Sequence, residues 1–139
     1  EKFAMDLLKD RRFTIIEPPF MIKRAPYEGV TSLADFEDTL YKIEGEDLYL
    51  IATSEHPMGA RFMNEVLPAD TLPLRLAGIS PCFRREAGAH GKDTKGIFRV
   101  HQFNKIEQFI FCRPEDSWRL HEELLANAEA IYQKLGITT

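Results

Sequence analysis

The chain has 139 residues, of which 44% are hydrophobic and 29% are charged, proportions typical of one globular domain with a core of its own. The formal net charge of −4 means that bulk charge does not favour nucleic acid, so any contact with RNA requires a local basic patch. No apolar run approaches the ~20 residues that cross a bilayer, and no signal peptide opens the chain, so we expect a cytoplasmic protein without a membrane segment.

The first predicted elements are a helix and a short strand. Residues 1–12 predict the helix, and its apolar stripe consists of Phe3, Ala4, Leu7 and Leu8. Residues 13–17 are rich in strand-forming types, and the strand ends at Pro18 because proline has no N–H to donate to a ladder. Prolines and glycines interrupt residues 21–46, where only residues 33–41 favour a short helix or turn.

A junction between a strand and a helix follows at residues 53–55. Residues 47–54 have the apolar bias of a strand, and residues 55–66 predict a helix. The apolar stripe of that helix consists of Met58, Phe62, Met63 and Val66. Two interpretations of Thr53 and Glu55 stay open: they cap the helix, or they bind the ammonium group of a substrate.

Residues 82–112 predict a long β-hairpin with a polar, glycine-bearing loop, and Gly78 before it is expected to mark a bend. Side chains alternate between the faces of a strand, so one face of the hairpin is mostly apolar and the other is charged. The charged face consists of Cys82, Arg84 and Glu86 on the first strand and Arg99, His101, Phe103, Lys105 and Glu107 on the second. An aromatic ring among arginines and carboxylates suits the binding of a flat base, an oxyanion and an amine.

The last predictions concern the cysteines and the C-terminal helix. Cys82 and Cys112 lack a C-x-x-C spacing, so we expect free thiols, adjacent only if the hairpin register pairs them, and no metal site. Residues 117–136 predict the clearest helix of the chain, and Gly136 suits its C-terminal end. Its apolar stripe consists of Trp118, Leu124, Leu125, Ala128, Ile131, Tyr132 and Leu135.

Several of these segments resemble class II aminoacyl-tRNA synthetases. The F-R-R-E of residues 83–86, a loop, and the R-V-H-Q-F of residues 99–103 are similar to motif 2 of that family, which we place at 82–112. The longer stretch from LPLRLAGISPCFRREAG to GKDTKGIFRVHQFNKIEQF resembles the seryl-tRNA synthetases in particular. Residues 53–55 look like their T-x-E element. Residues 1–20, with Pro19, resemble motif 1, which forms the dimer interface in the family.

The resemblance implies an α+β fold with an antiparallel β-sheet flanked by helices, incomplete at its C-terminal side. Residues 1–139 would form part of one class II catalytic domain without motif 3. The implied activity is that of a serine–tRNA ligase, which makes seryl-adenylate from serine and ATP and transfers the seryl group to tRNA(Ser). A homodimer through the motif 1-like segment is expected, and Mg²⁺ would accompany ATP with its ligands outside this chain.

The resemblance also assigns the nucleotide-binding residues. Arg84 would be the catalytic residue, because it would bridge the α-phosphate of ATP and the carboxylate of serine. Glu86 would accept a hydrogen bond from the adenine amino group, and Phe103 would stack on the adenine ring. Arg99 would contact the nucleotide nearer the hairpin loop.

The remaining implied roles concern serine and tRNA. Thr53, Glu55 and Glu107 would hold the serine ammonium group beside Arg84, while Lys92 and Lys95 in the loop would contact phosphates of tRNA. Two alternatives stay open for the function. One is a related enzyme that adenylates an amino acid and charges a carrier protein, and the other is a non-catalytic module of the same fold for dimerisation or RNA contact.

Overall fold

The computed structural model describes residues 1–86 and 98–139. The α-helices are α1 (Lys2–Asp10), α2 (Arg24–Glu28), α3 (Leu33–Phe36), α4 (Glu55–Gly59) and α5 (Ser117–Lys134). The strands are β1 (Thr14–Ile16), β2 (Met21–Ile22), β3 (Tyr49–Leu50), β4 (Leu74–Phe83) and β5 (Gln102–Phe111). Short 3₁₀ turns occupy Glu37–Thr39, Ala60–Phe62, Ala69–Thr71 and Pro114–Asp116. In this part of the chain, no helix is both long and apolar enough to cross a membrane.

The main sheet has the strand order β1-β4-β5 in the described residues. Strands β4 and β5 pair in antiparallel fashion, from Leu74 opposite Phe111 to Phe83 opposite Gln102. Strand β1 runs parallel to β4, and β2 pairs separately with β3. The expected α+β class with a sheet flanked by helices is confirmed, although the parallel β1 makes the sheet mixed.

One face of the main sheet packs against α1 and α5. The packed cluster consists of Leu7, Leu8, Phe13 and Ala77, with Ile15, Ile106, Ile110, Leu124 and Ile131 partly buried around it. Full burial of a large apolar side chain such as Leu8 contributes about 1.5–3 kcal/mol to the free energy of unfolding. The prediction of an apolar face on the hairpin is therefore confirmed, and the opposite face of β5 remains for the charged residues.

A second core lies in the region for which the sequence predicted little regular structure. It consists of Ile22, Tyr27, Leu33, Leu40, Tyr49, Ile51 and Ala52. Strand β3 is shorter than the predicted strand at 47–54. The Ile51 N–H still donates to the carbonyl of Phe20, opposite it on the β2 side, but the Ile51 carbonyl accepts from the N–H of Phe83 at the end of β4. The extended chain after β3 thus joins the end of β4, which brings Thr53 towards the main sheet.

The helix predicted at 55–66 is wrong in its second half. Helix α4 ends at Gly59, and a 3₁₀ turn follows before Met63 adopts extended geometry. Asn64 then takes a left-handed conformation with φ of 66°, which ends any helical continuation. Val66, which was expected in the apolar stripe, is 97% exposed.

The stripe predicted for α5 is also partly wrong. Leu120 and Asn127 are the buried residues of this helix, whereas Trp118 is 81% exposed and Leu125 and Tyr132 are about half exposed. The helix is oriented by a polar contact that hydropathy does not reveal. Arg11 donates to the Asn127 side-chain oxygen, and Asn127 donates to Gln108 of β5 over 2.6 Å.

The end of α5 and the cysteines complete the comparison. Gly136 has φ of 73°, and its N–H donates to the Gln133 carbonyl, so the predicted end of the helix at this glycine is confirmed. Both cysteines are free, as predicted. They are not neighbours, because the register places Phe103 opposite Cys82, whereas Cys112 follows the far end of β5.

Candidate active site

The charged face of the hairpin is built by the register of β4 and β5. Phe103 lies opposite Cys82, Lys105 opposite Ser80, and Glu107 opposite Gly78. Because side chains alternate along a strand, these β5 residues lie on the face away from α1 and α5. Arg84, Glu86 and Arg99, which were predicted on the strands, instead lie just beyond the strand ends, since β4 stops at Phe83 and β5 begins at Gln102.

Arg84 is held over the ring of Phe103. Its guanidinium carbon lies 5.1 Å from the ring centroid, a distance suited to a cation–π contact. Its Nε donates to the carbonyl of Ala52 over 3.3 Å, and its backbone N–H donates to the carbonyl of His101 over 2.9 Å. The guanidinium therefore lies between the aromatic ring and the segment that carries Thr53.

Glu86 and Arg99 form an ion pair of 2.6 Å at the loop end of the hairpin. The Glu86 side chain is 17% exposed and that of Arg99 is 43% exposed. Glu86 adopts a left-handed backbone conformation with φ of 54°, which costs about 1 kcal/mol or more for a residue other than glycine. Such strain at a charged residue is common where side chains must be aimed at a ligand.

Thr53, at the junction before α4, contacts Glu107 of β5. Thr53 is buried, and its hydroxyl donates to Oε2 of Glu107 over 3.0 Å. The Lys105 ammonium group contacts the same Oε2 atom. Oε2 is thus engaged twice, which leaves Oε1 as the acceptor for a further donor.

The two sequence-based interpretations of residues 53–55 are both compatible with this geometry. The backbone N–H of Glu55 donates to the Thr53 hydroxyl over 3.1 Å, so Thr53 satisfies one amide of the first turn of α4. Ser54, at the N-cap position, makes no side-chain capping bond. Glu55 itself is exposed.

His56 is a half-buried neighbour of the site that sequence reasoning left without a role. Its ring lies 4.5 Å from the ring of Tyr27. Burial lowers the pKa of His56 to about 4, and the nearby charges of Lys105 and Arg84 act in the same direction. The imidazole is therefore neutral at pH 7 and adds no further positive charge to the site. Burial likewise raises the pKa of Tyr27 to about 12.

The segment around residues 39–41 borders the same site. The Tyr41 hydroxyl lies 2.5 Å from Nδ1 of His101, and the N–H of Arg85 donates to the Thr39 carbonyl over 2.9 Å. No pattern in the sequence indicated these contacts, because they join residues about 45 to 60 positions apart in the chain.

Lys92 and Lys95, the predicted tRNA contacts, lie outside the described residues. Within the described ranges, no group of three or more His, Cys, Asp or Glu side chains could hold a metal ion.

The arrangement brings together an aromatic ring, a guanidinium and a carboxylate along one antiparallel hairpin. The model of the tRNA synthetase class II core domain (G, H, P, S and T) matches residues 37–139. The chain belongs to this family. Residues 53–55 and the whole hairpin lie within the matched range, so the resemblance to class II synthetases on those segments is confirmed.

Individual members of the class II synthetase family that resemble the chain include seryl enzymes. The chain is 69% identical over 137 residues to the serine–tRNA ligase of Methanocella arvoryzae. It superposes with a TM-score of 0.92 on seryl-tRNA synthetase from Pyrococcus horikoshii complexed with ATP, at 56% identity over 96% of this chain and 30% of that one. The cytoplasmic serine–tRNA ligase from Naegleria fowleri in complex with AMP gives a TM-score of 0.89 at 46% identity, over 97% of this chain and 32% of that one. The predicted seryl branch is confirmed.

The match covers only part of the relatives. It includes 99% of this chain but 32% of the Methanocella arvoryzae protein, so the chain spans about a third of the length of the curated relatives it matches. The residues of the candidate site all fall within this shared third.

Proposed function

We propose that the chain is the part of a serine–tRNA ligase that binds ATP and serine for adenylate formation. In that reaction the serine carboxylate attacks the α-phosphorus of ATP and pyrophosphate leaves. The seryl group of the adenylate is then transferred to tRNA(Ser), and AMP leaves. The observation that carries the proposal is the position of Arg84. It reaches Phe103 on one side and the Ala52 carbonyl, next to Thr53, on the other. The identity of 69% to a serine–tRNA ligase supports the same reading.

The nucleotide half of the site uses Phe103, Arg84, Glu86 and Arg99. The ring of Phe103 supplies a flat apolar surface on which adenine stacks. Arg84 offers fork-shaped donors to the α-phosphate and the serine carboxylate, where negative charge accumulates in the transition state. In the structure Glu86 and Arg99 form an ion pair with each other. When ATP binds, Arg99 turns to the nucleotide and Glu86 accepts from the adenine amino group.

The amino acid half uses Glu107, Thr53 and Glu55. Thr53 and Lys105 hold Oε2 of Glu107, so that Oε1 accepts an N–H of the serine ammonium group. Glu55 supplies a second carboxylate at the exposed edge. Two carboxylates select a charged α-amine over a neutral group, because an ammonium group forms charge-assisted hydrogen bonds with them that a neutral group cannot form.

The remaining partners belong to the same proposal. Lys92 and Lys95 contact tRNA(Ser), and the segment 1–20 forms the interface of a cytoplasmic homodimer. Mg²⁺ accompanies ATP and neutralises phosphate charge. The described residues contain no cluster of three or more His, Cys, Asp or Glu side chains that could hold a metal ion, and we assign no residue of this chain to Mg²⁺.

The test is serine-dependent exchange between pyrophosphate and ATP, measured on the full-length protein encoded by the gene that carries this sequence. We expect exchange with serine and much less with threonine or glycine as controls. Arg84→Ala should abolish exchange while the protein keeps its circular dichroism spectrum, whereas Arg113→Ala, an exposed arginine beyond the far end of β5, should stay active. Absence of serine-dependent exchange, or full activity of Arg84→Ala, would contradict the proposal.

A further inference from the structure

The sequence context of Gly78 suggested a bend, but the residue lies inside a regular strand. It is the fifth residue of β4 and is buried between β1 and β5, with Ile16 opposite it on one side and Glu107 on the other. Glycine weakens the interior of a strand, so its presence there indicates a close approach by another part of the chain. The structure identifies that neighbour as Ser54.

A side chain at Gly78 would collide with the segment that carries Thr53. A Cβ atom built on Gly78 would lie 2.8 Å from the Ser54 hydroxyl oxygen and 2.9 Å from Ser54 Cβ. It would also lie 2.9 Å from the terminal methyl of Met58 in α4. These distances are shorter than any normal carbon contact, so the junction between β3 and α4 would have to move away from the sheet.

Ser54 acts at this contact through its volume. It is fully buried, and its hydroxyl has no hydrogen-bond partner among the described residues. Its chain neighbour Thr53 makes the 3.0 Å bond to Glu107, which is the residue directly opposite Gly78. How closely Ser54 packs against Gly78 therefore determines the distance between Thr53 and Glu107.

We propose that Gly78 is a positioning residue for the amino acid half of the site, because the missing side chain lets Ser54 lie on β4 and holds Thr53 against Glu107. This inference rests on the proposed function and extends it to a residue that touches neither substrate. Arg84 and Phe103 lie toward the other end of the β4–β5 pairing. Although Arg84 donates to the Ala52 carbonyl, it is also held by the ring of Phe103 and by its backbone bond to His101, so the nucleotide half depends less on the contact at Gly78.

The experiment compares the KM values of serine and ATP in pyrophosphate exchange by the full-length Gly78→Ala protein. We expect the serine KM to rise by about tenfold or more with the ATP KM changed less than about twofold, since displacements near 1 Å in an active site cost up to about a hundredfold. The matched control is Gly59→Ala in α4, where the three atoms nearest to a built Cβ belong to Val30, at 2.7 and 3.6 Å, and to the ring of Phe109, at 3.5 Å, and none belongs to Ser54. It tests a comparable steric conflict and should leave the ratio of the two KM values unchanged.

A second variant keeps the test decisive if Gly78→Ala does not fold. Ser54→Gly removes the side chain that rests on Gly78 without creating a clash, and it should also raise the serine KM alone. Equal changes in both KM values, or an unchanged serine KM in a folded variant, would overturn the inference. A complete lack of exchange in the unchanged protein would instead contradict the proposed function.

Discussion

Thr53 and Glu107, which are 54 positions apart in the sequence, share a hydrogen bond of 3.0 Å in which the threonine hydroxyl donates to the carboxylate. The bond joins the strand-to-helix junction to the centre of β5, so two segments recognised separately in the sequence become one site. The bond also helps to orient the Glu107 carboxylate, and the Lys105 ammonium group contacts the same oxygen atom. Pre-oriented groups need less reorganisation when the ligand binds.

Replacement of Glu107 by glutamine should weaken the use of serine without affecting ATP. Glutamine keeps the shape and can still accept from Thr53, but it loses the negative charge that faces the ammonium group. We expect kcat/KM for serine to fall by a factor equivalent to about 1.5–3 kcal/mol, the usual size of a hydrogen bond to a charged group. Pyrophosphate exchange at varied serine concentration measures this effect.

The matched control for Glu107→Gln is Glu123→Gln. Glu123 has a comparable exposure of 32% against 26%, and it is also ion-paired, with Arg75, but it lies on α5 on the opposite side of the sheet. This control should leave the serine KM unchanged. An equal loss in both variants would show that Glu107 acts through general stability.

Phe103→Ala should weaken ATP binding by about 1–3 kcal/mol, since the substitution removes the ring on which adenine stacks. The substitution also removes the surface under the Arg84 guanidinium, which lies 5.1 Å from the ring centroid. Phe103→Tyr keeps the ring and should retain most of the affinity. Isothermal titration with ATP distinguishes the two, and undiminished affinity of the alanine variant would reject Phe103 as the adenine platform.

The stability of the protein should fall between about pH 6.5 and pH 4 because of His56. Its folded pKa of about 4 lies below the ordinary value of 6.5, chiefly because of burial. Between these values the unfolded state binds more protons, so stability is complete above pH 6.5 and decreases as pH falls through the folded pKa. The midpoint of urea unfolding, measured at intervals between pH 7.5 and 4.5, should show this decrease.

Two variants separate His56 from the other groups that titrate in this range. His56→Gln should reduce the slope of the unfolding midpoint against pH. His121→Gln, which changes an exposed histidine of α5, should keep the slope of the unchanged protein. The same slope in all three proteins would mean that His56 does not contribute.

Asn127→Ala should lower the free energy of unfolding by about 1–3 kcal/mol, the cost of leaving buried polar partners unsatisfied. Asn127 is fully buried, accepts from Arg11 and donates to Gln108, and so links α1, α5 and β5. Gln133→Ala on the exposed part of the same helix should change stability by less than about 0.5 kcal/mol. Urea denaturation compares the two, and equal small effects would contradict a structural role for the link.

Much of the candidate site was predictable before the fold was known. The placement of Phe103, Lys105 and Glu107 on one face follows from the alternation of side chains, which depends only on the local geometry of a strand. The family was predictable for a related reason, because its motifs are continuous stretches of sequence. The C-terminal glycine of α5 was likewise predicted from local chemistry, since Gly136 adopts the left-handed conformation that ends a helix.

Other features depended on contacts between distant segments. The predicted stripe of α5 failed because the helix turns a polar residue, Asn127, towards Gln108, and hydropathy alone ranks asparagine as a surface residue. Helix α4 stopped early because the chain after Gly59 leaves helical geometry within a few residues. Propensity summed over a short window cannot anticipate either outcome, since tertiary packing outweighs it.

Local sequence thus accounts for the kinds of groups in the site and for the faces that they occupy. Tertiary structure decided how closely those groups approach each other. It places Arg84 over the ring of Phe103 and pairs Glu86 with Arg99. It also bonds Thr53 to Glu107, next to the point where Ser54 packs against Gly78. The physical reason is that a strand or helix signal arises from neighbours in the chain. Strand register and the depth of packing arise instead from steric and hydrogen-bonding contacts between residues far apart in sequence.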